Sequence, residues 1–142
     1  MNEISSASRV YVDSNIFIYF VELNPEYFKK AEEFFDHSDS VGARLFTNEY
    51  TLAECIYQPS REGNFSLVEK YESLFEKEDE VQLLNLDGAL AKRAAFVGGS
   101  LGLKLADAIH YISALEVGCD YFVTADAAFK SGPAMKVLRL AA

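Results

Sequence analysis

The stretch 103–129, LKLADAIHYISALEVGCDYFVTADAAF, constrains the fold most. Leu105, Ala108, Ile109, Ile112 and Leu115 recur at helical spacing and predict a helix with one apolar face. Gly118 stands where a left-handed residue would stop it. Tyr121, Phe122 and Val123 are β-prone, and Thr124 and Asp126 follow at the C-terminal end of the strand they predict. Asp107 falls on the first turn of the helix, with His110 and Tyr111 beside it. One carboxylate at a helix start and another past a strand end are a pair that folding can bring together, and open α/β sheets bind ligands at that strand end.

The rest of the chain repeats the alternation of strand and helix. Residues 9–13 read as a strand ending in Asp13, and Ser14 as the cap of a helix from 15 to about 23. Pro25 suits the first turn of a helix from 26 to about 37, followed by a turn over 37–42. Residues 44–47 predict a second strand. Asn48 caps a helix to about 58, where Pro59 stops it; Leu52, Ala53, Ile56 and Tyr57 form its apolar side, with Glu54 at the edge. Residues 66–77 carry helical periodicity, and 76–80 read as a solvated helix end and loop. A third strand over 81–86 precedes a helix from 88 to about 97, capped by Asp87 and ended by Gly98-Gly99. A last short strand covers 136–140, while 1–8 read as a loose polar tail. This order predicts a single α/β domain over 1–142: a small central parallel sheet of four to five strands, covered by helices on both sides.

Composition excludes several classes. Half of the 142 residues are hydrophobic, which predicts a packed globule. The net charge of −9 argues against a passive nucleic-acid binder held by a basic stripe, but not against an enzyme whose acids surround metal. Cys55 and Cys119 show no CxxC spacing, so neither a zinc site nor a disulfide framework is expected and a reduced, cytoplasmic setting is the default. No signal-peptide pattern or membrane-length apolar run is visible.

Four acids stand out once the elements are placed. Asp13 ends the first strand, Glu54 lies on the helix after the second, Asp107 opens a helix and Asp126 follows the fourth strand. C-terminal ends of parallel strands share one edge, so Asp13 and Asp126 belong on one rim, which Glu54 and Asp107 can face from flanking helices. Carboxylates crowded in a cleft resist ionising together, and hard divalent cations such as Mg²⁺ or Mn²⁺ relieve that repulsion. Such ions activate water and neutralise a phosphodiester.

With these residues in view, the chain resembles PIN-domain ribonucleases of the kind that serve as toxins in VapBC-type toxin–antitoxin pairs. The matching pieces are VDSN at residues 12–15, TLAE at 51–54, LADAIH at 105–110 and TAD at 124–126. The resemblance implies a metal-dependent endoribonuclease with one or two Mg²⁺ or Mn²⁺ ions on Asp13, Glu54, Asp107 and Asp126. It also implies supporting hydrogen bonds from Asn15 and Thr124, with Ser14 as a further partner, and both a cognate antitoxin and a homodimer. Lys104 and Arg93 are candidate contacts to RNA by their nearness in sequence. Ala127 and Ala128 depart from the family, which often carries another acid or amide there.

Other readings fit less well. A receiver-like signalling domain needs an acceptor Asp ending its third strand and a Lys ending its fifth; Asn85 and Asp87 are the nearest, and Arg139 is not Lys. A HAD-type phosphatase needs a second Asp where Asn15 stands. A non-catalytic PIN-like binding module would not need all four acids. His110 reads as a packed or hydrogen-bonded histidine rather than a general base, and Cys55 as a small buried hydrophobe.

Overall fold

The computed structural model describes residues 2–77 and 79–141. Within them, β1 (Arg9–Val12), β2 (Arg44–Asn48), β3 (Val81–Leu84), β4 (Tyr121–Thr124) and β5 (Lys136–Arg139) form one sheet in the order β3-β2-β1-β4-β5. Every neighbouring pair is parallel. The helices are α1 (Ser14–Val21), α2 (Phe28–Val41), α3 (Glu49–Arg61), α4 (Phe65–Glu76), α5 (Gly88–Ser100) and α6 (Leu105–Glu116). The α/β architecture expected from the alternation is the one observed.

Side chains alternate across the sheet and feed two cores. Val10, Val12 and Val123 pack with Ile16, Phe17, Phe34, Cys55 and Tyr71, which come from α1 to α4. Tyr11, Phe46 and Phe122 face the other way, onto Leu90 and Ala94 of α5 and Ala108 and Ile112 of α6. The central strand β1 is therefore covered on both sides, and Val10, Tyr11 and Val12 are fully buried.

Several boundaries differ from those the sequence predicts. Asn24 Oδ1 accepts the backbone N–H of Glu26 and of Tyr27, so Pro25 lies in a turn and α2 starts later. That helix then runs through the expected turn to Val41, where Gly42 ends it at φ 72°. Pro59 does not stop α3. It sits in the last turn, where it removes one backbone donor, and its ring is buried. The buried stripe of α3 is Thr51, Cys55 and Pro59, leaving Ala53 and Tyr57 exposed. Strand β3 ends at Leu84 and β5 at Arg139, short of the expected limits. Of the run 76–80 expected to be solvated, Glu78 lies outside the described residues.

Two corrections bear on packing. Gly98 and Gly99 do not end α5, which continues to Ser100. A Cβ on Gly98 would lie 2.1 Å from Ala108 Cβ, so this glycine lets α5 and α6 approach closely. The N-terminal stretch, expected to be loose, is docked at Ile4. Ile4 is 2% exposed within the first core, and His37 Nε2 lies 3.0 Å from its carbonyl oxygen. One apolar residue among polar neighbours anchors the segment. Among the described residues, no helix is long and apolar enough to cross a membrane.

Candidate active site

The rim is built from the ends of the two central strands. Val12 and Val123 are register partners, which brings Asp13 level with Thr124. Thr124 Oγ1 donates to Asp13 Oδ2 at 2.7 Å and accepts the Asp126 backbone N–H at 3.0 Å. One hydroxyl thus bridges two of the expected acids. Ser14 N–H donates to Asp13 Oδ1 at 2.9 Å, so Asp13, rather than Ser14, caps α1. Asn15 Nδ2 donates to Asp13 Oδ2 at 3.2 Å, and its Oδ1 accepts the Ala125 N–H at 3.3 Å. Asp126 Oδ1 accepts the Ala128 N–H at 2.9 Å.

Asp107 enters from the first turn of α6 and is half-buried. Burial, then Asp126, then Asp13 push its carboxyl above the usual carboxylate range. Asp13 is 4% exposed and its carboxyl is also raised, chiefly by burial, with His110 and Thr124 opposing the shift. Asp107 therefore feels both of the other aspartates.

Glu54 reaches the site through a histidine. Glu54 Oε1 lies 2.5 Å from His110 Nε2, and Asp13 Oδ1 lies 3.9 Å from the same nitrogen. His110 is 1% exposed, and its Nδ1 lies 2.7 Å from the Tyr11 hydroxyl. That hydroxyl also accepts the Asn48 N–H at 3.1 Å. Nε2 faces a carboxylate oxygen, which accepts, so that nitrogen is the donor to Glu54. Burial raises the Tyr11 hydroxyl well above its ordinary range and keeps it a donor. Asn48 Nδ2 donates in turn to Ser113 Oγ at 3.0 Å.

Residues 10–133 match the PIN domain family. The chain belongs to the PIN-domain family. Its fold is similar to that of a chain in the DNA-bound VapBC complex from Salmonella typhimurium (TM-score 0.67, 21% identity, covering 94% of this chain and 99% of that one). It is likewise similar to a chain in the VapBC2 complex of Rickettsia felis bound to a promoter DNA fragment (0.66, 14%, 92% and 98%). A toxin–antitoxin complex from Klebsiella pneumoniae gives 0.68, 16%, 93% and 98%. Comparison with curated protein sequences gave no match.

On this PIN framework, Asp107 and Asp126 line one cleft, Asp13 is buried and tied to Asp126 through the Thr124 hydroxyl, and His110 lies between Glu54 and Asp13. The oxygen-rich donor set fits a hard divalent ion in its chemistry. Among the described residues, however, no three acidic, histidine or cysteine groups converge into a ready-made ion cluster, and Glu54 is drawn toward His110. Lys104 immediately precedes α6 and lowers the Asp107 carboxyl, which places it beside the cleft. Arg93 does not join it: its Nη1 pairs at 2.9 Å with Glu116, at the opposite end of α6 from Asp107. The sequence reading missed Tyr11 and Ser113 and took Asn48 as a cap alone. Tyr11, two residues before Asp13, shares its face of the strand, and that spacing was the available signal.

Proposed function

We propose that this PIN domain is an endoribonuclease that hydrolyses RNA phosphodiester bonds and acts as the toxin of a toxin–antitoxin pair. The observation that carries the reading is the Thr124 hydroxyl, which ties Asp13 to the Asp126 backbone beside Asp107 at the strand ends. Asp13, Asp107 and Asp126, with Glu54, would hold Mg²⁺ or Mn²⁺. When bound, such an ion activates water and neutralises the phosphodiester. The chain's own residues fix the frame. Thr124, Asn15 and the Ser14 N–H orient Asp13, while His110 lies between Glu54 and Asp13. Water adds to phosphorus and the P–O3′ bond breaks, leaving 5′-phosphate and 3′-hydroxyl ends.

The likeness in fold to chains of VapBC complexes supports a cognate antitoxin for this chain. The acidic cleft suits a basic or aromatic residue from such a partner. Phe96 and Val97 of α5, Leu101 just after it and Leu105 of α6 are exposed apolar residues, which supports a second copy as the other partner. The test of activity is cleavage of a mixed RNA pool with Mg²⁺, Mn²⁺ or EDTA, beside Asp107→Asn. Metal-dependent cutting that disappears in a variant with unchanged circular dichroism is expected. Full cutting by that variant would sink the assignment.

A further inference from the structure

One cleft opens beside the candidate acids. It lies between the segment joining α5 to α6 and the loop joining β4 to β5, and Asp107 and Asp126 both line it together with Lys104, Tyr111 and Lys130. Its volume is about 570 Å³, inside the roughly 300–1,000 Å³ range of small-ligand sites. The chain carries 13 basic residues against 22 acidic ones, yet this cleft sets two lysines beside two of the candidate catalytic acids. Both lysines are exposed, and neither is in an ion pair among the described residues.

The lysines stand on braced segments. Phe129 is buried, with its ring centroid 4.5 Å from Phe122, and Tyr111 stacks on it at 6.2 Å. The Tyr111 hydroxyl donates to the Lys130 carbonyl oxygen at 3.5 Å. Val137 N–H donates to Ser131 Oγ at 2.8 Å, and Met135, which accepts from Gly132 N–H, is buried. Residue 130 is thus held against α6, the helix that Lys104 precedes. Glu54, beside His110, is not part of the cleft's lining. The two lysines give a polyanion its attraction on the cleft side of the acids.

We propose that this cleft is a nucleotide subsite, with Lys104 and Lys130 clamping the RNA phosphate next to the scissile one. The inference rests on the ribonuclease reading and adds the side on which the strand leaves the acids. It concerns affinity and register rather than bond breaking, so no chemical step is assigned to either lysine.

The test compares wild type with Lys104→Ala, Lys130→Ala, the double variant and Lys130→Arg. Binding of a fluorescein-labelled mixed-sequence 20-mer RNA is measured by anisotropy in EDTA over a salt series. Mg²⁺-supported cleavage and oligomeric state are measured alongside. Each alanine should lower the slope of log K against log salt by about 0.7. The double variant should raise KM by about tenfold, well beyond its effect on kcat, with Lys130→Arg close to wild type. Cleavage with KM and salt slope unchanged in the double variant would overturn the subsite and leave the nuclease standing. A change in oligomeric state in place of RNA affinity would assign the cleft to a protein contact and overturn it too. Lysine-dependent binding without cleavage would remove the nuclease and reduce the cleft to an RNA-phosphate contact, overturning its place beside a scissile bond. Neither binding nor cleavage by wild type would remove both.

Discussion

His110 Nε2 and Glu54 Oε1 stand 2.5 Å apart, joining the helix after β2 to the helix that carries Asp107. The histidine is nearly fully buried and the glutamate side chain is 31% exposed, so one partner is fixed and the other reaches solvent. His110→Ala should therefore act twice. It leaves a cavity beside Tyr11 and frees Glu54, costing about 2–4 kcal/mol in stability. Urea denaturation measures that cost. Cleavage under conditions where the variant is folded should fall, with a glutamine at 110 retaining more activity than the alanine.

Thr124 offers a cleaner separation of fold from chemistry. Thr124→Val keeps the shape but removes the hydroxyl that donates to Asp13 and accepts from Asp126. Groups that orient metal ligands typically contribute about 10–100-fold to metal affinity or activity. RNA cleavage and the Mg²⁺ concentration for half-maximal rate should both report a loss of that size.

The two adjacent glycines of α5 should respond in opposite ways. Gly98→Ala drives a Cβ into Ala108 and should destabilise by about 1–3 kcal/mol. Gly99 is exposed, helical and clear of neighbours, so Gly99→Ala should stabilise by about 0.5–1 kcal/mol. Chemical denaturation of the two variants decides the matter, and partial rescue of Gly98→Ala by Ala108→Gly would locate the strain.

Phe96 is 81% exposed on the apolar patch of α5 and α6. If a second copy covers that patch, Phe96→Asp should shift the mass measured by light scattering from dimer to monomer without lowering thermal stability of the fold. A dimer that persists through the change would place the interface elsewhere.

Cys119 is 2% exposed, and burial pushes its thiol up to about 12. At pH 8 its thiolate fraction is then about 10⁻⁴, so alkylation should be slow in the folded state. Mass spectrometry after iodoacetamide should find it unmodified until denaturant is added.

Much of this architecture was legible because strand and helix signals differ in period. The runs VYV and YFV predicted β1 and β4, and the acids after them pointed to the rim. What escaped depended on tertiary contact. Gly98 looked like a helix stop but serves close helix packing, and Pro59 was read as a breaker but sits buried in a last turn. Arg93 was near the acids in sequence, yet the helix direction pairs it with Glu116. The link from Glu54 through His110 to Tyr11 joins three elements, so no local window could display it.

Strands β1 and β4 lie side by side although most of the chain separates them. A chain emerging from the ribosome displays Asp13 early and Asp126 only near its end. Until β4 slots in beside β1, Asp13 lacks the Thr124 hydroxyl and half the rim does not exist. A copy that stops before β4 lacks Thr124 and Asp126, so the proposed nuclease site is incomplete in it.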